Sequence, residues 1–82
     1  MDEMTLRSFR AGRGLRQVDV AALLRVSQPR VAAIERHRVD GLLVGTVADY
    51  VAAAGGRLLI GAEVAGGVMV PLWWRPEGEF RT

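Results

Sequence analysis

The chain has 82 residues, half of them hydrophobic and 24% charged, which suits one globular domain with a short tail and nothing larger. It has no cysteine and a single histidine, His37, which removes disulfides, thiolate catalysis, cysteine-ligated zinc and His-rich metal clusters. The net charge is only +2, yet all eleven basic residues are arginine, and from Leu6 to Arg38 eight arginines stand against Asp19 and Glu35 alone.

A cationic first half of this kind points to a polyanion, although a solubilising charged surface would account for the net charge equally well. A domain this small gains stability from oligomerisation. Asp2 and Glu3 stand where a secretory leader carries basic residues, and no hydrophobic run follows. The longest apolar tract, Leu58 to Trp74, is interrupted by Glu63, glycines and Pro71, so it reads as strands rather than a membrane span. The expected location is the cytoplasm.

Thr5 is placed to cap a first helix running to about Ala11, with Leu6 and Phe9 inward and Gly12 and Gly14 ending it. A second helix spans about Gln17 to Leu24, with Val20, Ala21 and Leu24 on its core face. Arg25-Val26-Ser27 is long enough only for a tight turn. Ser27 then caps a third helix over Gln28–Arg36, in which Pro29 sits in the first turn, where its missing N–H costs nothing, and Val31 and Ile34 face inward. Two short helices across a three-residue turn form a helix-turn-helix pattern. Residues 36–41 read as a loop, and a fourth helix covers about Leu43 to Ala54 on a Val47/Tyr50/Val51/Ala54 stripe. Gly55-Gly56 ends it.

The hydrophobic period then changes from 3.6 to 2. Over Arg57–Val64, residues Leu58, Ile60, Ala62 and Val64 share one strand face, and Leu59, Gly61 and Glu63 the other. Ala65-Gly66-Gly67 is turn chemistry before a second strand from Val68 to about Trp73, which Pro71 confines to an edge or shortens. Residues 75–82 read as a loose tail. The expected division is residues 1–56 as a helical domain, 57–74 as a hairpin extension and 75–82 as a flexible tail.

The stretch Leu6–Glu35, with Arg10, Gly14-Leu15, Gln17, Ala21, Val26-Ser27-Gln28-Pro29, Val31, Ile34 and Glu35, resembles the λ-repressor-like (XRE) helix-turn-helix proteins. The later Thr46-Val47, Asp49-Tyr50-Val51 and Ala54-Gly55-Gly56-Arg57-Leu58 resembles a subgroup of small antitoxins of HigA or HipB type. The resemblance implies a mainly α fold: a λ-repressor-like domain of four to five short helices followed by a C-terminal β-hairpin. Three positions depart from the family pattern: Arg16 replaces the usual Thr or Asn before Gln17, Arg25 a frequent turn glycine, and His37 a frequent glycine after the third helix. Arg25 would need a left-handed or otherwise tolerant backbone there, at about 1 kcal/mol.

The first turn of such a third helix reaches deepest into a DNA major groove. Gln28, off the Val31/Ile34 stripe, is the lead base-reader, because a glutamine amide can both donate to and accept from adenine. Ser27, Pro29 and Ala33 join it at the interface; Pro29, Ala32 and Ala33 are small apolar groups on the exposed side. Arg30 is read as a phosphate contact. The resemblance makes Gln17 a phosphate-contacting glutamine, and a helix N-terminus favours an anion in any case. Arg36, His37 and Arg38 follow the helix toward the phosphates. Arg13, Arg16 and Arg25 are solvated charges as readily as contacts, and Asp19 and Asp49 read as plain exposed acids. Arg10 and Glu35 fall near core stripes, where a lone charge is costly, and the resemblance implies that they pair.

No catalytic, metal or cofactor site is expected: Gly12-Arg13-Gly14 lacks the strand and third glycine of a dinucleotide loop, His37 with Ser27 and Asp40 makes no triad, and nothing holds Glu77 and Glu79. The bulky Met69, Trp73, Trp74 and Phe80 crowd the C-terminal end. Adjacent Trp73 and Trp74 point to opposite strand faces, so one core cannot bury both. Leu58, Ile60, Val68, Val70, Trp73 and Trp74 are therefore the candidate dimer or partner surface. The resemblance implies an antitoxin: a homodimer on a palindromic double-stranded operator, neutralising a cognate toxin and repressing its own operon. The competing reading is a stand-alone homodimeric repressor with no toxin partner. A scaffold that has lost DNA binding is disfavoured by the clustered arginines.

Overall fold

A computed structural model describes residues 5–75. Four helices come first: α1 (Leu6–Gly12), α2 (Gln17–Leu24), α3 (Gln28–Arg36) and α4 (Val44–Ala53), with a short 3₁₀ turn at Val39–Gly41 between the last two. Strands β1 (Leu59–Val64) and β2 (Val68–Trp74) follow as an antiparallel hairpin. Among the described residues no helix is long and apolar enough to cross a membrane.

Local chemistry accounts for the helix ends. Thr5 Oγ1 accepts the Ser8 N–H at 3.0 Å and Ser27 Oγ accepts that of Arg30 at 3.2 Å, each supplying a partner for a helix-start donor. Arg16 has no capping oxygen, and Asp19 takes over: its carboxylate accepts the Arg16 backbone N–H at 2.7 Å and pairs with the guanidinium at 3.0 Å. Asp19 is thus a cap from the third helical position rather than a plain exposed acid. Arg25 ends α2 at φ 59°, ψ 44°, which is the left-handed one of the two alternatives expected there. That reversal turns the chain into α3 within three residues.

Leu6, Val20, Ala21, Val31, Ile34, Val47, Tyr50 and Val51 form the core, and Phe9, Leu15, Leu24, Leu42 and Leu58 pack around it. Val20 and Val31 are fully buried, each worth on the order of 2 kcal/mol of apolar transfer. All four members of the α4 stripe are buried. The stretch after α3 differs from the expected plain loop, because Gly41 and Leu42 donate back to Arg38 and Val39 and close the 3₁₀ turn. At the end of α4, Gly55 at φ +90° lets the Gly56 N–H return to the Val51 carbonyl at 2.9 Å.

The hairpin departs from simple alternation. Ile60 pairs with Trp73 but Gly61 with Pro71, so Leu72 is an extra residue in β2. Pro71 has no N–H for a regular ladder; β2 is an edge, as one of only two strands in the described sheet, and the bulge accommodates the proline within seven residues without shortening the strand. The bulge also exchanges the tryptophan faces. Trp73 joins Ile60, Ala62, Val64, Val68 and Val70, while Trp74 joins Leu59 and Met69 on the other face. Both remain open in the single chain, Trp73 at 39% and Trp74 at 49% exposure. β1 begins two residues later than the alternation predicts, since Arg57 and Leu58 form the link from Gly55-Gly56.

Arg75 is not loose tail. Its backbone N–H donates to the Leu58 carbonyl at 3.1 Å, and its guanidinium binds Asp49 on α4, which ties the base of the hairpin to the helices. Asp49 is therefore an anchor as well as an exposed acid. The rest of the expected tail, 76–82 with Glu77, Glu79 and Phe80, lies outside the described residues.

Candidate nucleic-acid interface

The buried Val31 and Ile34 hold one side of α3 against the core, leaving Gln28, Pro29 and Arg30 exposed at its start. Gln17, at the start of α2, is brought beside them: Gln28 Nε2 donates to Gln17 Oε1 across the turn. Ser27 adds its capped backbone to the same corner. The arrangement joins two helix N-termini and two amides, which can donate to and accept from a polyanion and its bases.

Behind the amides lies an ionic centre. Arg10 meets Glu35 side-on, Nε to Oε2 at 2.6 Å and Nη2 to Oε1 at 3.0 Å. Arg10 Nη1 donates to the Leu15 carbonyl at 2.9 Å, which also holds the turn after α1. Gln17 Nε2 donates to Glu35 Oε1 at 3.0 Å, and the Tyr50 hydroxyl lies 2.6 Å from Oε2. The same hydroxyl is 3.1 Å from the Leu6 carbonyl; its single proton goes to the charged acceptor. The side chains of Arg10 and Glu35 are only 11% and 4% exposed.

Burial pushes the Glu35 carboxyl up, but hydrogen bonds from Arg10, Tyr50 and Gln17 and the Arg10 charge outweigh it and hold the group at about 2. The Arg10 guanidinium is raised, chiefly by its hydrogen bond to Glu35. Burial and then the Glu35 carboxylate push the Tyr50 hydroxyl above its ordinary value. Near neutral pH the centre holds one cation, one anion and a neutral phenol.

The other expected site residues separate from this corner. Arg36 closes α3 and His37 and Arg38 follow it, eight or more residues from Gln28 and so about 12 Å along the helix. All three are exposed, and Arg38 Nε bonds Asp40 at 3.1 Å. Ala32 and Ala33 are half-buried rather than exposed, because α3 leans its middle on the core. Leu58, Ile60, Val68, Val70, Trp73 and Trp74 belong to the hairpin or its base; Leu58 packs on the core, and the two β2 valines are exposed. Tyr50 is the participant that sequence periodicity missed. It fell on the core stripe, and the available signal was that a buried tyrosine hydroxyl needs a partner.

A corner built from α2, a tight turn and a capped α3 defines a helix-turn-helix protein. Residues 4–63 match the family described as helix-turn-helix domain, and the chain belongs to that family. Its likeness within the family is to HigA antitoxins. It is 45% identical over 53 residues to HigA2 and 52% identical over 48 residues to HigA3, two Mycobacterium tuberculosis proteins with provisional antitoxin names. These alignments take in 65% and 58% of the chain, which spans about half the length of these curated relatives, 52% and 44%. A solved structure described as induced DNA bending by unique dimerization of HigA antitoxin superposes with a TM-score of 0.77 at 42% identity, over 88% of this chain and 95% of that one. A DNA-bound antitoxin HigA3 gives 0.76 at 40% identity, over 89% and 94%.

Proposed function

We propose that this protein is a DNA-binding antitoxin that acts as a homodimer on a palindromic operator, neutralises a cognate toxin and represses its own operon. The observation that carries the reading is the bonded Gln17–Gln28 pair at the exposed start of α3, in a chain similar to a DNA-bound antitoxin. In this reading Gln28 reads a base edge, Gln17 and Arg30 hold phosphates, and Arg36, His37 and Arg38 follow the backbone. Residues 1–56 bind DNA, and 57–74 serve dimerisation or toxin binding. The ion pair of Arg10 and Glu35 is structural, and no catalytic or cofactor role is assigned. The cytoplasm is the location that suits the role.

The exposed hairpin supports the dimer, because a lone two-stranded hairpin is marginal in water and this one leaves both tryptophans open. A two-fold pair would set its α3 helices about 34 Å apart, one turn of duplex. The test is a titration of the chain's own promoter fragment at two salt concentrations, with the solution mass measured alongside. A dimer that binds tightly, with affinity falling steeply with salt, supports the reading. Gln28→Ala should relax sequence preference, whereas Arg30→Ala and Arg36→Ala should weaken binding to all sequences and each lower the salt slope by about 1. Unchanged affinity in all three variants would remove the assignment. Promoter binding with no toxin captured from neighbouring genes would leave a stand-alone repressor.

A further inference from the structure

We infer that Glu35 is a positioning residue for base selection: through Gln17 it fixes which end of the Gln28 amide faces the base, and so makes Gln28 a reader of adenine rather than guanine. The inference rests on the assignment of Gln28 as a base-reader.

A carboxylate is an acceptor only, so Gln17 must turn its NH2 toward Glu35 Oε1, as found at 3.0 Å. The Gln17 carbonyl oxygen is thereby left to face Gln28. Gln28 must meet it with its own NH2, and Nε2 is indeed the donor. In this geometry the order of polarity runs from the buried acid through the Gln17 carbonyl oxygen to the exposed amide. Gln28 is left with one free N–H and an unused carbonyl oxygen. Adenine offers N7 as acceptor and N6–H as donor in the major groove and fits that remainder. Guanine offers two acceptors, N7 and O6, and would need both N–H groups, one of which is committed to Gln17. The second N–H of Gln17 stays available for a phosphate.

Glu35 can impose this order because it cannot turn. Two bonds from Arg10 and one from Tyr50 hold the carboxylate from the core side, and its side chain is 4% exposed. Its link to Gln17 joins the end of α3 to the start of α2, the element beside which Gln28 begins.

Two variants remove the order without a lone buried charge. Gln17→Met keeps the length of residue 17 but transmits no polarity. Arg10→Met/Glu35→Leu removes the source and leaves both glutamines in place. A randomised duplex library would first be selected on the wild-type protein, and the best duplex and its single-base variants titrated against each folded dimer. Gln28→Ala identifies the base that residue 28 reads. At that base the wild type should favour adenine over guanine by tenfold or more, the range of a good bidentate contact. Gln17→Met and the double variant should both fall below about threefold there while keeping their preferences at other bases. Full adenine preference in either variant, at a base whose reading Gln28→Ala destroys, overturns the inference and leaves Gln28 as reader. No position lost in Gln28→Ala overturns the reader itself, and the inference with it.

Discussion

Replacing Glu35 with glutamine keeps the side chain's size and removes its charge, leaving the Arg10 guanidinium, 11% exposed, with no anion. Breaking one partner of a buried pair costs about 3–5 kcal/mol, because the survivor stays desolvated. A domain of this length has roughly 4–12 kcal/mol of stability in total, so Glu35→Gln should lower the melting temperature by roughly 15–30 °C. Replacing both partners is different. Arg10→Met/Glu35→Leu removes the desolvation cost along with the attraction, and such exchanges are often neutral or stabilising. The double variant should therefore lie within about 1 kcal/mol of the wild type. Urea and thermal unfolding followed by circular dichroism would measure both, at one fixed protein concentration because the proposed dimerisation would add to the apparent stability. A Glu35→Gln cost below about 1 kcal/mol, or a double variant no more stable than the single, would refute the view of this pair as a buried charge centre.

The same carboxyl sets an acid limit. It ionises at about 2 in the folded chain against an ordinary 4.5, so on acidification the unfolded chain takes up its proton first. Its contribution, about 3 kcal/mol, is complete above the ordinary value and is lost as pH falls through 2; urea midpoints between pH 6 and pH 2 should show this decline, and the Arg10→Met/Glu35→Leu variant should lose that component. Arg25→Gly should stabilise the chain by about 0.5–1 kcal/mol by relieving the left-handed strain at φ 59°, and Arg25→Val should destabilise it, both read from thermal melts. Gly56→Ala would place a Cβ 2.8 Å from Phe9 Cζ and 3.1 Å from Val51 Cγ1, and should cost about 1–3 kcal/mol in urea unfolding; a neutral result would mean that the Phe9 ring moves freely.

Much of this protein was legible along the chain. The apolar spacing of Val20, Val31, Ile34 and the α4 stripe, with Ser27 before Pro29, determined the four helices, because helical period and capping are local properties. The switch to alternation after Gly56 determined the hairpin for the same reason. Gln28 could be nominated by its place at a helix start, and Gln17 and the pairing of Arg10 with Glu35 by family resemblance. Tertiary structure decided what depends on approach between distant segments. Only packing brings Tyr50, on α4, onto Glu35, on α3, and places Gln17 between that acid and Gln28. Only strand pairing reveals that Leu72 is extra, because a bulge is a relation between two strands that neither one shows alone. Arg75 looked like tail for a similar reason: its partners, Asp49 and Leu58, lie 26 and 17 positions away. Sequence periodicity says which face of each element is inward, whereas the polarity and partner of a polar group are settled only when the faces meet.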